Sequence, residues 1–150
     1  MKLPAGYRLS DDKAGLQIDV IHGFLAADAY WSPGIPLGVV ERAIANSRCV
    51  GVYGPDGAQV AFARLVTDSA TFAYLCDVFV LPAARGLGLS KAMVGFLIAH
   101  PELQNLRRWM LVTRDAHHLY SQFGFEPISA EQVGRLMQRL DPDVYRRMTA

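Results

Sequence analysis

Apolar residues recur at helical spacing over residues 12–30, where Leu16, Val20, Ile21, Phe24 and Leu25 mark one face, and this predicts an amphipathic helix. Ser32-Pro33-Gly34-Ile35-Pro36 interrupts it, and a shorter helix follows over 37–47 with Val40 and Ile44 inward. The pattern then becomes β-rich over 49–53 and 59–67, two runs joined by Gly54-Pro55-Asp56-Gly57, whose Asp-Gly pair favours a hairpin. A third strand is predicted over 71–81; it is almost wholly apolar, which places it in the centre of a sheet. Residues 88–100 read as a helix burying Leu89, Met93, Phe96 and Leu97, with Pro101 just past its end. A strand over 109–112, a short helix over 116–123 capped near Asp115 and a last strand over 125–128 follow. The tail from Ala130 adds a helix broken around Asp141-Pro142. This order implies an α+β (or α/β) layered fold, and with no repeat, linker or low-complexity tract, residues 1–150 are expected to form one domain.

Composition narrows the functional classes. The chain has 150 residues, 51% hydrophobic and 19% charged, enough to bury a full core without disulfides or metals. A net charge of +1 argues against a nucleic-acid partner, since Arg107-Arg108 and Arg146-Arg147 are too short to form a basic surface. Cys49 and Cys76 lie in strand-like segments without metal-ligand spacing, so buried reduced thiols, a cytoplasmic location and no metal are expected. No stretch reads as a secretory leader or a membrane span.

The most informative segment is Val80-Leu81-Pro82-Ala83-Ala84-Arg85-Gly86-Leu87-Gly88-Leu89-Ser90, where a strand crosses a glycine-rich loop into a helix. Glycines there let backbone N–H groups converge, and the helix N-terminus adds a positive dipole end, so the loop suits an anion. Neither the dinucleotide fingerprint Gly-x-Gly-x-x-Gly nor a Gly-Lys-Ser/Thr loop is present, which excludes both of those nucleotide-binding readings. Arg85-Gly-Leu-Gly88-Leu-Ser90 resembles instead the Gln/Arg-x-x-Gly-x-Gly/Ala pyrophosphate loop of the GNAT superfamily of N-acetyltransferases. A second segment, Ala116-His117-His118-Leu119-Tyr120-Ser121-Gln122-Phe123-Gly124-Phe125, is similar to that family's Ala-x-x-Leu-Tyr-x-x-x-Gly-Phe motif. The resemblance covers roughly residues 15–128.

It implies a GNAT-type mixed sheet flanked by helices, with the strands at 71–81 and 109–112 parallel and splayed around a slot for acetyl-CoA, the co-substrate. Pyrophosphate is expected on Arg85, Gly86, Leu87, Gly88, Leu89 and Ser90, and the pantetheine arm and oxyanion on the main chain of Val78, Phe79 and Val80. Ser90 replaces the family's Gly or Ala, and Thr113 stands where many members carry Asn. Tyr120 is expected to protonate the departing thiolate, and Tyr30 and Trp31 to line the acceptor groove. The implied acceptor is a small-molecule or peptide amine, and the resemblance leaves a homodimer open.

Amine attack also needs a route for the proton, because at neutral pH only about one alkylamine in a thousand or fewer is unprotonated. Asp77 is the only acid in its strand and is expected either to serve as base or to pair with a neighbour such as Arg64; its place just before the coenzyme loop favours the site role. His22, His117 and His118 are weaker candidates. A coenzyme-binding module without catalysis, and a scaffold that binds nothing, are the alternatives.

Overall fold

A computed structural model describes residues 2–149. Among them, strands β1 (Arg8–Ser10), β2 (Arg48–Tyr53), β3 (Gln59–Thr67), β4 (Phe72–Val80) and β5 (Arg108–Leu111) form one sheet in that order. Neighbours are antiparallel except β4 and β5, which run parallel. Helices α1 (Ile18–Ala27) and α2 (Leu37–Ala45) cover one face, and α3 (Leu89–Ala99) with the short α4 (His117–Ser121) covers the other. Two further short helices, α5 (Ala130–Val133) and α6 (Val144–Met148), lie either side of the predicted break at Asp141-Pro142.

The mixed, helix-flanked sheet is the layered α+β fold expected, with instructive local departures. Helix α1 starts six residues later than its periodicity suggests. Asp12 accepts a hydrogen bond from the Ala14 amide and closes a 3-10 turn over Lys13–Gly15. Gln17 and Gln59 then exchange side-chain carbonyls for backbone N–H groups at 2.8 and 2.9 Å, which fixes Gln17 in an extended conformation. Strand β1 was not predicted; at three residues it is too short for alternation to register. The strand expected at 125–128 does not form. The Phe125 amide turns back to the Tyr120 carbonyl at 3.3 Å, and Pro127 has no N–H to give a ladder. Helix α4 starts after Ala116, next to Asp115, but no side chain caps it; Thr113 instead holds the turn before it, its hydroxyl accepting from the Ala116 amide at 3.0 Å.

Strand β4 departs most usefully. Ala73 and Leu75 face α3, so regular alternation would send Phe79 there too, yet Phe79 packs against α1 at 4.1 Å from the Phe24 ring, while Val78 and Val80 join the α3 side. The switch occurs at Asp77, a non-glycine residue with φ of 51°, where Asp77 and Val78 together oppose the single residue Ala63. This is a β-bulge, and it inverts the facing of everything after it. Strand β4 is apolar on both faces because helices cover both sides of the sheet, although the central strand is β3 and not, as expected, β4.

One buried hydroxyl is left over: Tyr53 is 1% exposed, and its Oη has no hydrogen-bond partner among the described residues. Burying a hydroxyl without a partner is unfavourable, so Tyr53→Phe is expected to match or exceed the parent in thermal stability, by up to about 2 kcal/mol. A lowered Tm in a denaturation scan would mean that the hydroxyl is satisfied in solution.

Candidate active site

The site begins with a difference in strand length. Strand β3 pairs with β4 from Ala73 to Val80, but β5 pairs only from Phe72 to Leu75. Beyond Leu75 the β5 side of β4 is unpaired, and the two parallel strands part around an opening. The expected splay is therefore present, and the bulge at Asp77 sits where it starts.

Two cavities flank this opening and share Trp31, Val78, Ala116 and Tyr120 in their walls. The first, about 400 Å³, runs past Val78, Phe79 and Val80 to the glycine loop, and Arg85, Gly86, Gly88, Leu89 and Ser90 line its far end. The loop is shaped by backbone. Gly86 and Gly88 have φ of 80° and 76°, a region costly for residues with a Cβ, and Gly88 caps α3 with no side-chain acceptor for its first amides. A Cβ at either glycine would meet no protein atom within 4 Å, so the space beside them is open to a ligand. Arg85 donates from Nε to the Val80 carbonyl at 3.0 Å, tying the loop to the strand that feeds it. Lys91, not singled out from the sequence, also lines this end and adds a second cation. Leu87, expected among the coenzyme contacts, is exposed and absent from the cavity wall; it projects from the loop while the flanking glycines turn inward.

The second cavity, about 300 Å³, is bounded by Tyr30, Trp31, Tyr74, Cys76, Asp77 and Thr113, among others. Tyr120 stands between the two. It is 8% exposed, its ring packs edge-on to Phe125 at 6.0 Å, and burial, with a smaller contribution from Tyr30, raises its pKa above the ordinary tyrosine range. The hydroxyl is therefore a donor at neutral pH.

Asp77 is fully engaged. One carboxylate oxygen accepts from Arg64 Nε at 2.7 Å and the other from Trp31 Nε1 at 2.9 Å, and Arg64 in turn donates to Ser47 Oγ at 3.0 Å. The chain of contacts ties the loop between α1 and α2 to the bulge in β4. The pairing with Arg64 was one of the two expectations for this residue; the bond to Trp31 joins two predicted site residues that no local pattern linked. Cys76 also borders this cavity, half-buried rather than enclosed, and burial pushes its thiol up to about 11, leaving little thiolate at neutral pH.

The histidines lie elsewhere. His22 shares a hydrogen bond of 2.9 Å with the Ile35 carbonyl and links α1 to the approach to α2. His117 and His118 line a separate groove against β5, outside both cavities. Among the described residues, no three His, Cys, Asp or Glu side chains cluster as metal ligands, and no helix is long and apolar enough to cross a membrane.

This geometry can be set beside known proteins. The family model for the acetyltransferase (GNAT) domain matches residues 46–127, from the start of β2 through α4 and both motifs. The chain belongs to the GNAT acetyltransferase family. A GNAT protein of Xanthomonas campestris pv. campestris, provisionally named an acetyltransferase, has a crystal structure 49% identical in sequence that superposes with a TM-score of 0.89 over 96% of this chain and 99% of that one. A protein of Gibberella zeae, also provisionally named an acetyltransferase, is 35% identical over 77% of this chain and 76% of its own length. The fold is shared more distantly, at 18% identity and a TM-score of 0.64 over 90% of this chain and 94% of the other, with a protein of Clostridium acetobutylicum, provisionally named an acetyltransferase, solved with acetyl-CoA. Within this GNAT chain, the splay between β4 and β5 and the loop at Arg85–Ser90 fall inside the matched region.

Proposed function

We propose that this GNAT protein is an acetyl-CoA-dependent N-acetyltransferase that moves an acetyl group to a primary amine by direct attack in a ternary complex. The observation that carries this reading is a cavity running from the open edge of β4 to the N-terminus of α3, with Tyr120 at its junction with a second cavity. The roles divide by chemistry. The first amides of α3, with Arg85 and Lys91 beside them, suit the pyrophosphate. The edge of Val78 to Val80 that faces away from β3 has no strand partner and offers main-chain groups to a pantetheine arm and a donor to the oxyanion formed at the thioester oxygen. The free-base amine forms the C–N bond at the thioester carbon; as the tetrahedral intermediate collapses and the C–S bond breaks, the sulfur takes the electron pair and a proton from Tyr120, the nitrogen gives up its surplus proton to water, and Tyr120 is reprotonated from solvent.

A covalent acetyl-cysteine route is disfavoured, because Cys76 is held as a thiol. Protein incubated with acetyl-CoA and no amine is accordingly expected to release no CoA above the hydrolytic background and to keep its mass. An acetylated protein in the mass spectrum would instead establish a two-step route.

On this reading Asp77 anchors the loop bearing Trp31 rather than removing the amine's proton. Asp77→Asn keeps the size of the side chain and tolerates the left-handed backbone, but leaves the mostly buried Arg64 without its charge partner. The expected result is a Tm lower by several degrees, equivalent to about 1–3 kcal/mol, with turnover largely kept where the variant is folded. An unaltered Tm with a large loss of kcat/KM would assign the base to Asp77.

The reading itself is tested by measuring CoA release across a panel of primary amines, with calorimetry of acetyl-CoA binding alongside. Release with any amine supports the transferase. Binding without release on any amine favours the non-catalytic module, and no binding rejects both.

A further inference from the structure

Two loops that contribute to the wall of the second cavity are tied together at Tyr30, one of its lining residues. Trp31, held through Nε1 by Asp77, packs edge-on against Tyr30 with ring centroids 5.1 Å apart, and the guanidinium of Arg114 lies over the Tyr30 ring at 4.0 Å. Tyr30 and Trp31 belong to the loop after α1, whereas Arg114 belongs to the loop after β5, between the cavity-lining residues Thr113 and Asp115. Half of the Tyr30 surface and 64% of the Arg114 side chain remain exposed.

This cation is placed but not neutralised by a close partner. Its nearest carboxylate, Asp115, is 3.8 Å away and 74% exposed, beyond hydrogen-bond reach, and such exposed pairs contribute little. A guanidinium seated on an aromatic face keeps its N–H groups, which lie at the edge of its plane, available to an anion. The stacking removes rotamer freedom that binding would otherwise have to remove. Two N–H groups side by side match the two oxygens of a carboxylate. Deeper in the cavity, the Asp77 charge is already met by Arg64. Asp115, the other acid in the wall, faces Arg114, so the two carboxylates of this cavity, each opposite a guanidinium, leave no net negative charge to draw a polycation, and an acceptor's carboxylate can take the place of the loosely held Asp115 at Arg114.

We propose that Arg114, seated on Tyr30, is the specificity-determining residue for the acceptor and that it selects primary amines bearing a carboxylate. The proposal rests on the transferase reading above, and names the substrate class for the same site. Arg114 takes no part in bond making; it binds the acceptor's carboxylate while the amine reaches the thioester near Tyr120.

The experiment compares free L-amino acids with their carboxamides as acceptors, in the wild-type protein and in Arg114→Gln, by initial rates of CoA release. The amide's amine is the less basic of the pair and has more free base at neutral pH, so its intrinsic reactivity favours the amide. The expected result is a kcat/KM at least tenfold higher for the acids, carried mainly by KM, and a ratio near one in Arg114→Gln. A second arm titrates CoA-saturated protein with N-acetyl-L-amino acids and with their amides by calorimetry. Here the acids are expected to bind at least tenfold more tightly, and only when Arg114 is present. Acetylation of amines without acid preference, or with a preference that survives Arg114→Gln, overturns the clamp and leaves the transferase reading standing. If no amine is acetylated, the titration decides: Arg114-dependent binding of the acids upholds the clamp on a non-catalytic protein, and equal or absent binding overturns it.

Discussion

Replacing Tyr120 by Phe is expected to lower kcat by about a hundredfold while leaving acetyl-CoA affinity nearly intact, the size typical of a positioned acid. The substitution keeps the ring and its edge-on contact with Phe125, so the fold has no reason to change. Only the hydroxyl at the junction of the two cavities is lost. The pH dependence carries the same information. Burial raises the Tyr120 pKa, so the protonated form persists through the ordinary tyrosine range and the acid fails only as pH rises above it. Below that range the wild type should lose no rate on account of Tyr120, and the alkaline decline due to this group should vanish in Tyr120→Phe. The measurement is kcat against pH under conditions where chemistry limits turnover. A kcat unchanged by the substitution would transfer the proton donation to solvent.

Gly88→Val is expected to weaken acetyl-CoA binding by at least tenfold, about 1.4 kcal/mol, in a protein that still folds. Two effects add. A β-branched residue is strained at φ of 76°, and its side chain projects into space that is open in the protein alone but adjoins the first amides of α3. Because a Cβ at Gly88 meets no protein atom within 4 Å, the packing of the core is not the cause of the loss. Calorimetry of acetyl-CoA binding reads the affinity, and circular dichroism checks the fold. A folded variant that binds as tightly as the parent would remove the loop from the coenzyme site.

Both positions were legible in the sequence for the same reason: their chemistry is local. Gly86 and Gly88 announce left-handed backbone within a few residues, and Tyr120 sits in a motif spanning one short helix and the turn after it. The layered fold was legible as well, since α2, β2, β3 and α3 each carry their own periodicity. What escaped depended on partners far along the chain. Strand β1 exists because three residues meet Gly51 to Tyr53. The late start of α1 depends on Gln59, forty-two positions from Gln17. Asp77 could be narrowed to two roles, but its bond to Trp31, forty-six positions away, was invisible. The stack of Arg114 on Tyr30 was equally hidden, as neither residue carries a sequence signal for the other.

The bulge at Asp77 has a meaning for how such a site can change. Were β4 a perfect strand, its alternation would continue and Phe79 would leave the α1 face. The opening follows from the early end of β5, but which side chains face it is set by one surplus residue in the ladder with β3 rather than by any reactive group. Its chemistry can drift with substitutions at the wall residues Tyr30 and Thr113, or at Arg114 stacked on Tyr30, while the opening itself persists. A single deletion at Asp77 would be expected to do what no substitution there could: re-register the end of the strand, turn Phe79 off the α1 face and change which groups face the opening.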